Sequence, residues 1–216
     1  MSHDSARTTF SRRVRLARGV SPWLGPVVAA TAVTSLLTRR DRRWAFAAAP
    51  LAAVTGGMLW FFRDPERVPG TARVLAPADG VVLSVDPQPD GRTRVAIFMS
   101  PLDVHVNRAP LAGTVTSVEH VSGGFLPAFN KDSEANERVV WHFDTALGDI
   151  ELVQIAGAMA RRVVPYLTPG AKVARGERIG LIRLGSRVDT YLPEGIIPAV
   201  TVGEKTIAGV TGLDHG

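Results

Sequence analysis

Residues Arg138–Ile155 have the sequence RVVWHFDTALGDIELVQI, two segments rich in β-branched residues joined by the turn sequence ALGD. Short segments of this kind, bounded by glycine, proline and aspartate, are typical of strands joined by tight turns. No long segment with helical periodicity follows Phe62. We therefore expect a mainly β domain, an antiparallel sandwich or barrel with few short helices. The other expected strands are Gly80–Val85, Thr93–Met99, Gly113–Val118, Gly180–Arg183 and Arg187–Leu192.

Two apolar runs precede this domain, Val20–Thr38 and Trp44–Phe62. Each is close to the ~20 residues with which a helix crosses the hydrocarbon core of a bilayer. Aromatic residues lie at their borders, at the level where such rings prefer the lipid headgroups. We expect residues 1–62 to form a basic N-terminus and a membrane-associated apolar α-helical hairpin, and residues 63–216 to form the β domain. A cleaved signal peptide and a hairpin buried in a protein core are the alternatives.

The charges around these runs bear on topology. Two full spans would put Arg39–Arg43 on the outer side, against the positive-inside rule, whereas a hairpin within one leaflet keeps these arginines beside anionic cytoplasmic headgroups. We expect the protein to lie at the cytoplasmic face of the cell membrane. A peripheral or monotopic hairpin and a pair of membrane spans are both possible on the sequence.

Composition excludes several classes of site. The chain has 0 Cys, which excludes disulfides, thiolate catalysis and iron–sulfur clusters. The 5 His residues lack metal-site spacing, and no glycine-rich phosphate loop follows a strand. The net charge of +5 is concentrated beside the apolar runs, which favours acidic lipid over nucleic acid as the partner. We expect no metal and no nucleic acid.

A Gly-Ser pair, Gly185 and Ser186, lies between two strand-like segments. If the Ser186 hydroxyl attacks the Gly185 carbonyl, the peptide becomes an ester, and elimination cleaves the chain and leaves dehydroalanine. Hydrolysis of dehydroalanine gives a pyruvoyl group at the new N-terminus. Such a ketone forms a Schiff base with an amine and accepts electrons as a carboxylate leaves. Most Leu-Gly-Ser sequences are ordinary turns, so the pair alone does not establish this chemistry.

Five motifs occur in order along the soluble part of the chain and support this interpretation. Together they resemble the phosphatidylserine decarboxylase proenzymes of the short, pyruvoyl-dependent type. The resemblance implies cleavage between Gly185 and Ser186 into a large subunit and a small subunit that stay associated. It further implies that phosphatidylserine in the membrane is converted to phosphatidylethanolamine and CO2 through a Schiff base on the pyruvoyl group from Ser186, without pyridoxal phosphate. The motifs are Phe62–Arg67, Pro77–Gly80, Phe98–Pro110, Asn136–Arg138 and Leu184–Ser186.

The resemblance also implies roles for single residues. Asp79 corresponds to the aspartate that helps to activate the serine, and His105 to a general acid or base. Arg108 stands where one branch of the family has the base for the serine, and arginine cannot accept a proton. Either His105 serves both steps or the base is elsewhere, with His142 and His120 as candidates.

Other residues have two interpretations each. Arg108 binds a lipid phosphate or pairs with Asp103. Asp79 suits a turn, His105 a buried core position, and Asn136–Arg138 a solvated turn. The loop 123–130, which carries Phe125 and Phe129, is a lipid-facing, substrate-binding surface or a plug of the core.

Two other functions stay open on the sequence. One is a pyruvoyl-dependent decarboxylase of a soluble amino acid. The other is a non-catalytic, membrane-anchored module like the biotinyl and lipoyl carrier domains, with Lys172 in the turn pattern. The sequence leaves a homo-oligomer open.

Overall fold

The structure, a computed structural model, describes residues 14–124, 126–127, 134–157, 162–183 and 186–215. Its helices are α1 (Ser21–Thr38), a 3-10 turn (Arg42–Trp44) and α2 (Ala45–Phe61). Its strands are β1 (Val14–Leu16), β2 (Arg63–Pro65), β3 (Gly80–Pro87), β4 (Thr93–Met99), β5 (Val106–Arg108), β6 (Gly113–Val121), β7 (Arg138–Thr145), β8 (Gly148–Ala156), β9 (Val163–Pro165), β10 (Lys172–Val173), β11 (Arg178–Ile182), β12 (Ser186–Leu192) and β13 (Lys205–Thr206).

The expected fold class is confirmed. Eight strands form one antiparallel sheet in the order β10-β6-β7-β8-β12-β4-β3-β13, and a three-stranded sheet has the order β5-β11-β9. The described residues after Phe62 contain no α-helix. In β7, Val139, Trp141 and Phe143 are buried while the residues between them are partly exposed. This alternation directs one face of the sheet into the core.

A glycine at the start of β3 allows the close approach of β4. Gly80 has φ of 152°, and a Cβ there would lie 2.0 Å from the Phe98 carbonyl oxygen. Any side chain would therefore push the two strands apart. The motif Pro77–Gly80 thus has a structural requirement at its last residue.

The N-terminal apolar hairpin is also present. α1 and α2 pack together, and the Thr31 and Thr55 hydroxyls form a hydrogen bond of 2.8 Å between them. Only Leu24 in α1 and Phe61 in α2 are buried. The stretch Arg42–Phe61 is long and apolar enough to cross a membrane by length and composition, and 11% of its apolar window is buried. The alternative of a hairpin inside the protein core is wrong for this reason.

A second, smaller core joins the hairpin to the β domain. Phe61 and Phe62 at the end of α2 pack with Val104, Val106 and Leu181. This contact fixes the end of the hairpin against the segment that carries His105.

Candidate active site

Ser186 opens the central strand β12, where it pairs with Met99 on β4 and with Ala156 on β8. Its side chain is fully buried. The hydroxyl lies 3.4 Å from the Met99 Sδ, which is its one hydrogen-bond partner among the described residues. Because a thioether is a weak acceptor, the hydroxyl is positioned without a strong bond to oppose its reaction. Gly185, the other half of the expected cleavage site, lies outside the described residues.

A chain of buried amides leads to the same sulfur. The Asn107 Nδ2 donates to the Met99 Sδ at 3.5 Å and the Gln154 Nε2 donates to the Asn107 Oδ1 at 2.7 Å. The Trp141 Nε1 in turn donates to the Gln154 Oε1 at 2.7 Å. All of these side chains are inaccessible to solvent. Each polar group therefore depends on the next, which fixes the amide of Asn107 beside the sulfur that Ser186 contacts.

Sequence reasoning missed this chain. One signal was available, because Gln154 interrupts an otherwise apolar stretch of β8 and a glutamine at such a position needs a partner. The partners themselves come from β5 and β7, so only the folded structure identifies them.

His105 lies between Val104 and Val106 of the second core, fully buried, with its ring centroid 4.4 Å from that of Phe61. Its Nδ1 is 2.9 Å from the Asp103 carbonyl oxygen. Since a carbonyl only accepts, Nδ1 carries the proton and Nε2 the lone pair. Desolvation lowers the pKa of His105 to about 4, against a smaller opposing effect of the bond to Asp103. The imidazole is therefore neutral at pH 7.

His105 is connected to Ser186 through its neighbours in the chain. It precedes Asn107 by two residues, and Asn107 shares the Met99 sulfur with Ser186. Its carbonyl oxygen accepts from the Ile182 amide at 3.2 Å, four residues before Ser186.

The other two histidines have no such connection to Ser186 among the described residues. His142 is opposite Glu151, which is opposite Tyr191, five residues along β12. This places His142 about 17 Å along the strands and two strand spacings across the sheet from Ser186, about 20 Å in all. His142 also pairs with Asp149 at 2.9 Å. His120, on β6, is three strand spacings from β12, about 14 Å.

Asp79 is held by a two-point ion pair. Its oxygens accept from the Arg67 Nη1 and Nη2 at 2.5 and 2.7 Å, and Oδ1 also accepts from the Ala208 amide at 2.8 Å. The negative charge of Asp79 also acts to raise the pKa of His105. This effect is smaller than those of desolvation, of the Asp103 contacts and of Arg63. The aspartate thus lies within electrostatic reach of the imidazole.

Arg108 is buried, and its guanidinium donates to the Gly176 and Pro65 carbonyl oxygens, both at 2.9 Å. Its charged partner is Asp64, at 3.5 Å. The expected pairing with Asp103 is wrong, because Asp103 accepts from the amide and hydroxyl of Ser100 instead. Desolvation, with nearby Arg178 and Arg67, lowers the pKa of Arg108 to about 10. Arg108 therefore stays charged at pH 7 and ties two of the motifs together.

Asn136 is likewise buried, so the interpretation of its motif as a solvated turn is wrong for this residue. Its amide binds both backbone groups of Leu126 and donates to the Ala156 carbonyl at 2.9 Å. It thereby ties the loop 123–130 to the position that pairs with Ser186. Phe125 and Phe129, the expected substrate-binding residues of that loop, lie outside the described residues.

Lys172 belongs to β10, where it pairs with Thr114. A carrier lysine stands at the tip of a hairpin, so this position does not support the alternative of a carrier module.

The comparisons with known proteins agree with the resemblance. The family model described as Phosphatidylserine decarboxylase matches residues 55–213. The matched stretch begins within α2 and includes all five motifs.

Curated relatives match almost the whole chain. The phosphatidylserine decarboxylase proenzyme of Streptomyces griseus subsp. griseus is 68% identical over 212 residues, 98% of this chain and 99% of its own. The protein of that name from Streptomyces coelicolor is 69% identical over 214 residues, 99% of this chain and 98% of its own. That of Thermobifida fusca is 62% identical over 201 residues, 93% of each chain. The chain therefore belongs to the phosphatidylserine decarboxylase family.

Proposed function

We propose that this protein decarboxylates phosphatidylserine to phosphatidylethanolamine and CO2 at the cytoplasmic face of the cell membrane, after cleaving itself between Gly185 and Ser186. The observation that carries this proposal is the buried Ser186 at the head of β12, with its hydroxyl beside the weakly accepting sulfur of Met99. Family membership supports the reaction type.

Self-cleavage begins when the Ser186 Oγ loses its proton and attacks the Gly185 carbonyl carbon. The peptide C–N bond breaks, the amine takes up a proton, and an ester joins the two residues. Removal of the Ser186 α-proton then breaks the ester C–O bond, which releases the Gly185 carboxylate and leaves dehydroalanine. Water replaces the nitrogen, ammonia leaves, and a pyruvoyl group remains at position 186.

The surroundings of Ser186 suit an uncharged ketone. The side chain is buried and its neighbour is a thioether, which also accepts from the Asn107 amide. The oxygen of that amide is already bound by Gln154. When formed, the pyruvoyl group supplies a sink for the electron pair that the departing carboxylate leaves behind.

His105 is proposed to move protons in both stages. Its neutral form has an acceptor at Nε2, because Nδ1 donates to the Asp103 carbonyl. Once protonated, it gives the proton up readily, since burial lowers its pKa to about 4. We propose that it accepts the Ser186 proton and later delivers a proton to the α-carbon of the lipid after CO2 has left.

Asp79 is proposed to assist by stabilising protonated His105. Its carboxylate is kept in place by Arg67 at two points, and its negative charge favours a positive imidazole. Arg108, Phe125 and Phe129 stay proposed substrate-binding residues. The buried Arg108 guanidinium donates to the Gly176 and Pro65 carbonyl oxygens, so we propose that it contributes by holding these segments in position.

The hairpin is proposed to hold the enzyme in the lipid. Its exposed residues include Trp23, Phe46 and Leu36, so that a large apolar surface meets the surroundings. The hydroxyls of Thr31, Thr34 and Thr38 bind carbonyls one turn back within α1, which satisfies them without water.

The test uses the full chain expressed in cells and purified in detergent. We expect two fragments on a denaturing gel, a C-terminal piece whose mass matches residues 186–216 with an N-terminal pyruvoyl group, and release of CO2 from phosphatidylserine labelled in its carboxylate. Ser186→Ala should remain one inactive chain. An unbroken wild-type chain, or decarboxylation by the Ser186→Ala variant, contradicts the proposal.

Matched histidine variants test the proton carrier. His105→Gln should abolish decarboxylation and slow self-cleavage, whereas His142→Gln should retain both and His120→Gln should retain self-cleavage. A fully active His105→Gln variant would remove His105 from the reaction.

A further inference from the structure

A cavity of about 550 Å³ lies where the start of α1 meets the β domain. Gly19, Pro22 and Trp23 line one side, and Val163–Pro165 of β9 line the other. Three basic side chains complete the lining: His120, Arg162 and Arg183. None of the described residues that line the cavity is acidic, so the described part of its wall carries only positive charge.

The two arginines have no counter-charge in the described part of the chain. Neither forms an ion pair there, and the Arg183 Nε is buried without a hydrogen-bond partner. Burial, and then the neighbouring Arg162, lower the pKa of Arg183. A buried guanidinium nitrogen without an acceptor is unfavourable, and an anionic oxygen in the cavity would satisfy it.

Two further features favour an anion. The Arg183 guanidinium lies 5.1 Å from the centre of the Trp23 ring, which holds its plane in place. The first turn of α1 has no acidic residue and no side-chain cap, so the positive end of the helix has the same sign as the arginines.

The cavity is also close to the reacting centre. Arg183 precedes Ser186 by three residues, which the backbone spans in at most ~11 Å. In a serine phospholipid only two carbons and an oxygen separate the amine from the phosphorus. A lipid whose amine reaches position 186 therefore has its phosphodiester within reach of the Arg183 side chain.

We infer that this cavity binds the phosphodiester of the lipid substrate through Arg162 and Arg183, an inference that rests on the proposed function. The carboxylate is the poorer occupant, because two arginines holding it would stabilise the group that has to leave as CO2. The phosphodiester keeps its charge throughout the reaction. Trp23, which is 56% exposed, marks the level at which amphipathic rings meet lipid headgroups.

The binding test requires no catalysis. Glycerophosphoserine, the soluble headgroup, is titrated into the full Ser186→Ala chain in detergent and followed by calorimetry. Adding Arg183→Gln or Arg162→Gln to this chain should weaken binding about tenfold or more, since each removes a charge-assisted contact. Lys172→Gln is the control, because it also removes one positive charge but lies six residues along β6 from His120, about 20 Å away. Equal affinity in all four chains overturns the inference.

The kinetic test separates the substrate from bulk anionic lipid. In the cleavage-competent chain, Arg162→Gln should raise KM for phosphatidylserine in phosphatidylcholine vesicles about tenfold, with self-cleavage and binding to phosphatidylglycerol vesicles unchanged. An unchanged KM with weaker binding to phosphatidylglycerol assigns the arginines to general surface attraction and overturns the inference. If the wild-type chain releases no CO2 while glycerophosphoserine still binds through the arginines, the proposed function fails and the binding site stands.

Discussion

The β domain and the helical hairpin treat their apolar residues in opposite ways. In the domain, Trp141 and Phe143 are stacked with ring centroids 5.9 Å apart and are removed from solvent. In the hairpin, Phe46 is 90% exposed. The domain is thus stabilised by its own core, whereas the hairpin leaves large apolar side chains on its surface. His105 lies where the two regions meet, against Phe61.

A pair of phenylalanine variants gives the largest expected contrast. Phe143→Ala should lower the free energy of unfolding by about 3–5 kcal/mol, because it leaves a cavity in the core of the β domain. Phe46→Ala should change it by less than about 0.5 kcal/mol, since no packed contact is lost. Thermal unfolding of the Ser186→Ala chain in detergent measures both.

For partitioning into vesicles, the order of the two effects should be reversed. Phe46→Ala should weaken partitioning into phosphatidylglycerol vesicles, while Phe143→Ala should leave it unchanged at temperatures where the domain is folded. Equal effects of the two variants on unfolding would show that the hairpin contributes to the stability of the domain as a packed core element.

The second expected effect is a loss of stability in acid through His105. Its pKa in the folded protein, about 4, lies below the ordinary value of 6.5. Between these values the unfolded chain binds more protons, so stability rises with pH over this window and is lost as the pH falls from about 6.5 to 4. The full contribution is about 3 kcal/mol. Unfolding of the Ser186→Ala chain at pH 7.5, 5.5 and 4.5 measures it.

His105→Gln should flatten this pH dependence, because glutamine does not titrate. His142→Gln, on the outer face of β7, is the matched control and should keep it. An identical pH profile in the His105→Gln chain would place the acid sensitivity elsewhere in the protein.

The third effect concerns the amide chain beneath Ser186. Gln154→Leu leaves the Trp141 Nε1 and the Asn107 Oδ1 without partners, which should lower the free energy of unfolding by about 2–3 kcal/mol. Because Asn107 then loses its fixed orientation beside Met99, self-cleavage should also slow. Gln88→Leu, in the turn after β3, is the control and should change stability by less than about 0.5 kcal/mol. Normal maturation of the Gln154→Leu chain would separate the amide chain from the reaction.

Local sequence patterns predicted the elements of both regions well. The expected strand Thr93–Met99 has the same bounds as β4. The expected strand Arg187–Leu192 matches β12 except for its first residue, Ser186. Both apolar runs are helices, broken near the basic linker. Strand and helix signals are local, so residue order alone carries them. The short strands β1, β2, β5, β9, β10 and β13 were missed, because two or three residues carry too little pattern.

Contacts between distant segments could not be predicted in the same way. The motifs predicted Ser186, His105 and Asp79 as site residues, which stays a prediction. They did not predict that Asp79 binds Arg67 or that Arg108 binds Asp64. Nor did they bring Gln154 to Asn107, 47 residues away in the chain. Such pairs depend on strand order and register, which follow from packing of the whole domain.

The smallest expected effect lies within the hairpin. Thr31→Val removes the hydrogen bond to Thr55 while keeping the shape of the side chain, and such interhelical bonds contribute about 0.6 kcal/mol in membranes. Thr34→Val is the matched control, because the Thr34 hydroxyl binds only carbonyls of its own helix among the described residues. Disulfide crosslinking of cysteines introduced at exposed positions of α1 and α2 in vesicles should slow slightly in Thr31→Val and not in Thr34→Val. If Thr31→Val lowered the free energy of unfolding as much as Phe143→Ala does, the hairpin would, like the β domain, depend on its internal contacts rather than on the lipid around it.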